Sequence, residues 1–145
     1  MTIHFLLLVN KQGQTRLANY HHWIPISERT ALEGEVVRKC LQRKEHECNF
    51  VEHLQYKLIY RRYASLFFIV GVDGEENELA VLEFIHCLVE TLDRFFENVC
   101  ELDVMFNVEK AHFILEEMMS NGCVVDTNKT TVLQPVMLLE KEQKK

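Results

Sequence analysis

Apolar residues from Ile3 to Val9 fill both alternating positions, the pattern of a central strand covered on each face. Asn10-Lys11-Gln12-Gly13 is a turn, with Gly13 free to take positive φ, and Gln14–Tyr20 reads as the returning strand of a hairpin. Pro25 blocks continuation of that strand. Beyond it Leu32, Val36, Val37, Cys40 and Leu41 recur at helical spacing, predicting an amphipathic helix over 27–43 with Ser27 as its N-cap. Glu28 sits at the positive end of this helix and Arg38, Lys39 and Arg43 at the negative end, as the dipole favours. Three strands follow, Asn49–His53, Tyr56–Tyr60 and Ala64–Val72. The last is apolar on both faces and belongs beside the first strand in the sheet centre.

After a solvated loop, Asn77 caps a long helix whose stripe is Leu79, Leu82, Ile85, Val89, Leu92 and Phe96, widened by Phe84 and Leu88. A turn over Val99–Phe106 leads to a third helix, capped by Asn107 and carrying the stripe Val108, Ala111, Leu115 and Met118. Asn121-Gly122 is its stop. The order is ββαβββαα, an α/β (α+β) chain with a five-stranded antiparallel sheet and helices on both faces. All 145 residues read as one domain, with a frayed charged tail over 140–145.

Composition adds mainly exclusions. A net charge of −6 argues against non-specific binding to nucleic acid or anionic membrane, both of which need a basic surface. Lys57, Arg61 and Arg62 form a local basic patch in sequence. The five cysteines are scattered with no CxxC pair, so neither a zinc site nor a disulfide framework is expected. The N-terminal apolar run lacks a basic flank and a cleavage site, and no run reaches the ~20 apolar residues of a membrane span. Membrane contact is therefore expected only indirectly, through partners.

Candidate chemistry is sparse. There is no G-x-S-x-G elbow, P-loop or H-E-x-x-H. His86 and Cys87 are adjacent on a helix and project about 100° apart, which is no nucleophile–base pair. His21 and His22 point to opposite faces if extended. The expectation is a non-enzyme with no cofactor and no metal.

Leu58-Ile59-Tyr60-Arg61-Arg62-Tyr63-Ala64-Ser65-Leu66-Phe67-Phe68 resembles the motif of the small (sigma) chains of heterotetrameric vesicle-coat adaptor complexes. That motif is two aliphatics, Tyr, a basic residue, four variable positions, then Leu, Tyr, Phe; Phe67 replaces the usual tyrosine. The resemblance continues through Asn77–Asp93 and Asn98–Met118 and covers residues 3–135. Within the family, Val9–Leu17 and Asn121–Asn128 look most like the sigma chain of the fourth adaptor complex.

The resemblance implies a longin-like fold and a structural, cargo-sorting subunit in vesicle-mediated protein transport. Its partners would be an epsilon-type large subunit directly, and beta-type large and mu medium subunits within the complex. It would sit on the cytosolic face of the trans-Golgi network and coated vesicles, binding the cytosolic tails of cargo. The alternatives are a clathrin-associated sibling sigma chain, or a free-standing longin-type regulator of a SNARE or GTPase.

The resemblance also implies a pocket for the acidic dileucine signal, [DE]xxxL[LI], at Arg16, Ala64, Leu66, Val89, Asn98, Val99, Leu102 and Val104. The six aliphatic positions suit two leucines and Arg16 an upstream carboxylate. Each aliphatic residue equally suits plain core.

Overall fold

The computed structural model describes residues 3–21, 24–43, 50–74, 76–97, 99, 101–120 and 123–124. Strand β1 (Ile3–Asn10) turns back into β2 (Thr15–Tyr20), and helix α1 (Ile26–Leu41) follows. Strands β3 (Phe50–His53), β4 (Tyr56–Tyr63) and β5 (Leu66–Asp73) form a meander, followed by helices α2 (Glu78–Phe96), α3 (Glu101–Phe106) and α4 (Val108–Met118). Two short strands, β6 (Met119–Ser120) and β7 (Cys123–Val124), pair with each other.

The main sheet has the order β2-β1-β5-β4-β3 and is antiparallel throughout. The two strands that are apolar on both faces, β1 and β5, lie side by side as their pattern demands. Their side chains feed two cores. Leu6, Leu8, Phe68 and Val70 meet α2 and α4 on one face. Phe5, Leu7, Val9 and Ile69 meet Val36, Val37 and Cys40 of α1 on the other.

The register of β1 on β5 shifts between Ile3 and Phe5, so Ile3 joins the α2 core while Phe5 joins the α1 core. Phe5 then lies directly over Gly71, where an added Cβ would sit 2.3 Å from the ring. Glycine is needed there for space. At Gly13 it is needed for conformation, since φ is +86°. Asn10 builds that turn by accepting the Gln12 and Gln14 backbone N–H groups on Oδ1.

Several expectations are corrected. Helix α1 starts at Ile26 with Pro25 in the N-cap position and no side-chain cap, so Ser27 lies inside the helix. The fixed φ of proline already orients the entry, and Arg29 N–H bonds the Pro25 carbonyl. Strand β4 runs on to Tyr63 because it pairs along its whole length with β5, and β5 starts at Leu66 rather than Ala64. Ala64 is instead in the connecting turn with φ +54°.

Leu79 of α2 is exposed and Val81 buried, so the apolar stripe is rotated at its first turn. Val108 of α4 is likewise exposed at the helix start, while Ile114 joins the core. The segment expected as a turn contains α3. Val104 is the one buried side chain among its described residues, and that gives no stripe to read. The element order is thus ββαβββααα before the short β6–β7 pair. Asn77 caps α2 as expected, accepting from Leu79 and Ala80 N–H at 2.9 and 3.3 Å. The proposed stop at Asn121-Gly122 and the tail over 140–145 lie outside the described residues.

Candidate functional site

The seven described candidate residues come from β2, the β4–β5 turn with the start of β5, α2, and Val99 with α3. Arg16 is on β2, Ala64 in the β4–β5 turn, and Leu66 opens β5 opposite Asn10 and Tyr63. Val89 is on α2, Val99 follows that helix, and Leu102 and Val104 are on α3, which packs against β2. Asn98 lies outside the described residues.

Leu66, Val89, Val99 and Val104 belong to one buried cluster. They are core in this form. Ala64 and Leu102 are exposed, and Leu102 keeps 59% of its surface in solvent. Arg16 is half-buried and donates from Nη2 to Gln14 Oε1 at 2.9 Å. The structure therefore joins four of the eight as a packed wall and leaves two on its outside.

Open space lies next to that wall. A cavity of about 280 Å³ between β4 and α2 is lined by Arg61, Tyr63, His86, Val89, Glu90 and Asp93. Val89 is the residue it shares with the expected set. The basic patch read from sequence is split around it. Arg61 faces this cavity, whereas Arg62 bonds the Ala64 carbonyl at 3.2 Å and stacks over Phe67, and Lys57 is bound to Glu78 at 2.7 Å.

Asp93 ties the surroundings of the cavity together. Its Oδ2 accepts from the Tyr63 hydroxyl at 2.5 Å and its Oδ1 from the Val99 backbone N–H at 2.7 Å. Its carbonyl accepts the N–H of Glu97, which takes a left-handed conformation (φ 54°, ψ 70°) and turns the chain out of α2. The hydrogen bond to Asp93, followed by burial and the carboxylate's charge, raises the Tyr63 phenol pKa. Sequence reasoning missed Asp93. One signal was available: a carboxylate in the last turn opposes the helix dipole and calls for a local donor.

The described residues that line this cavity include no nucleophile–base pair. His86 Nε2 pairs with Glu90 Oε1 at 2.5 Å, while Cys87 packs against the core, so the two neighbours diverge. Burial pushes the Cys40 thiol up to about 12, against the smaller opposing pull of Arg43 and Lys39, which leaves it an unreactive core group. Among the described residues no group of three His, Cys, Asp or Glu side chains could hold a metal ion, and no helix is long and apolar enough to cross a membrane.

Residues 2–143 match the family of the clathrin adaptor complex small chain. The chain belongs to that family. It is 65% identical to the AP-4 complex subunit sigma of Arabidopsis thaliana over 97% of this chain and 99% of the relative. With the AP-4 complex subunit sigma-1 of Homo sapiens the identity is 53%, over 96% of each. The AP-1 complex subunit sigma-1 of Schizosaccharomyces pombe stands at 47%, over 94% of this chain and 85% of the relative. In three dimensions, a chain of the full-length AP-3 complex (a homology model in a stretched open conformation) superposes with a TM-score of 0.77 at 31% identity, covering 98% of this chain and 95% of that one. The five-stranded sheet with helices on both faces is thus the longin-like fold of an adaptor small chain.

Proposed function

We propose that this adaptor small chain is the sigma subunit of an AP-4-type heterotetramer, a non-enzymatic structural and cargo-sorting subunit at the cytosolic face of the trans-Golgi network. The observation that carries this reading is the gradient of identity, 65% and 53% to two AP-4 sigma chains against 47% to an AP-1 sigma chain. The direct partner is an epsilon-type large subunit, with beta-type large and mu medium subunits completing the complex.

The surface supports a chain that lives covered. Ile26 and Leu54 are exposed near the α1 start and the β3–β4 turn, and Leu102, Met105 and Phe106 are exposed along α3. Large apolar side chains in such groups are the ordinary mark of a protein interface.

The wall of Leu66, Val89, Val99 and Val104, with Leu102 beside it and Arg16 on β2, takes the leucine pair and acidic residue of a cargo tail. Two buried leucines supply about 3–6 kcal/mol before ordering costs, and an exposed charge pair adds under ~1 kcal/mol. One tail therefore binds weakly, and sorting draws on several contacts to one membrane.

Affinity purification of the tagged chain from cells, followed by mass spectrometry, tests the assembly: epsilon-, beta- and mu-type chains of one complex are expected together. Recovery of gamma-type large chains with clathrin would favour the sibling complexes instead. For the peptide, the assembled complex is titrated with a labelled acidic dileucine peptide. Leu102→Ser, on the exposed side of the wall, is expected to abolish capture while assembly survives. Undiminished capture by this variant refutes the pocket.

A further inference from the structure

The two oxygens of the Asp93 carboxylate are bonded to two different parts of the chain. Oδ2 holds the hydroxyl of Tyr63, the last residue of β4 and the neighbour of Ala64. Oδ1 holds the backbone N–H of Val99, beyond the end of α2. Asp93 itself lies one helical turn after Val89, on the same face, and both line the cavity with Tyr63. One side chain thus fixes a strand end, a helix and the segment after it.

From this geometry we infer that Asp93 is the positioning residue of the cargo-peptide site, bracing Tyr63 and Val99 so that the walls around Val89 keep a fixed spacing. The inference rests on the reading of that site given above. Hydrogen bonds to an ionised acceptor are about twice as strong as neutral ones, and the two bonds share one anchor, so the strand end and the segment are set together. The Val99 N–H has a particular need of such an anchor. It follows the left-handed residue Glu97, where α2 has ended and the helical ladder no longer supplies an acceptor.

A site for two aliphatic side chains gains most of its affinity from contact, and contact is lost when walls drift by a fraction of an ångström. Loose walls must also be ordered at each binding event, at the expense of affinity. Most of the burial around the site comes from apolar packing rather than from these two bonds. Leu66, Val104, Leu88 and Ile114 are buried together in one apolar core.

The test uses the co-expressed, fully assembled complex and fluorescence anisotropy of a labelled acidic dileucine peptide. Asp93→Ala removes both bonds and is expected to weaken capture about tenfold or more, with the subunits still co-purifying. Asp93→Asn keeps an oxygen for Val99 N–H and can donate its amide to the Tyr63 oxygen, so capture should stay within about threefold of wild type. Tyr63→Phe removes one bond and should fall between the two.

Should Asp93→Ala fail to assemble, Tyr63→Phe, which deletes a single hydroxyl, decides the matter. Wild-type affinity in Asp93→Ala or, failing its assembly, in Tyr63→Phe overturns the brace and leaves the site standing. An equal loss in Asp93→Asn and Asp93→Ala also overturns it, because charge rather than positioning would then be responsible. No capture by the wild-type complex overturns the site and the brace with it.

Discussion

Replacing Gly71 by alanine tests whether the central strand pair is shaped around one ring. The new Cβ would lie 2.3 Å from Cε1 and Cζ of Phe5 and 2.8 Å from Cε2. Carbon atoms in contact prefer about 3.5–4.0 Å, so the ring would have to retreat by more than about 1 Å. It has nowhere to go. Phe5 is fully buried, with Tyr56 edge-on at 5.3 Å and Tyr20 at 5.9 Å.

Overpacking of this kind costs about 1–3 kcal/mol, and the absence of slack puts Gly71→Ala at the upper end. Alanine recovers up to ~1 kcal/mol by restricting the unfolded chain, which leaves a net loss of about 2 kcal/mol. For a chain of this size that lowers the melting temperature by roughly 4–8 °C. The assay is urea unfolding of the dilute chain followed by far-ultraviolet circular dichroism, in a cycle with Phe5→Leu. Trimming the ring should partly rescue the Gly71→Ala variant, with a coupling of about 1 kcal/mol or more. Gly71→Ala within ~0.5 kcal/mol of wild type, or strict additivity with Phe5→Leu, would refute the reasoning.

Two further outcomes follow from the same framework. Asn77→Ala removes the side chain that accepts two N–H groups at the start of α2, and should cost about 1 kcal/mol in the same titration; Asn77→Asp should not. His53 is buried, and its pKa is lowered first by desolvation and then by Lys39, against the raising influence of Glu35. A depressed pKa contributes stability above the unfolded value near 6.5 and loses it as pH falls toward the folded value. The unfolding midpoint should therefore drop as pH is lowered below about 6.5, and His53→Gln should flatten that slope.

Much of the fold could be read from the chain because burial on two faces leaves a plain mark. Ile3–Val9 and Leu66–Val72 are nearly unbroken apolar runs, and they became adjacent central strands. The Asn10 turn, Gly13 and the Asn77 cap depend on one or two residues whose chemistry is local, so they too were legible. Helix α3 was not, because six residues in which Val104 alone is seen buried carry no period. The start of α1 was misjudged for a related reason: Ser27 is a good cap in isolation, but Pro25 had already set the entry.

The site was harder. An aliphatic residue in a pocket wall and one in a core are the same letter, and only the structure separates exposed Leu102 from buried Val104 two positions later. The bonds to Asp93 bridge 30 residues in one direction and 6 in the other, and sequence reasoning does not supply such pairings.

The strand order also sets a schedule for the nascent chain. Strand β1 can close on β2 as soon as the first hairpin, ending at Tyr20, has emerged, but its other edge waits for β5, which ends at Asp73. At 5–20 residues per second those roughly 50 residues take about 2.5–10 s of synthesis. Throughout it a strand apolar on both faces offers an open edge, a template for wrong pairing. Production of this small protein should then depend on whatever shelters that hairpin at the ribosome.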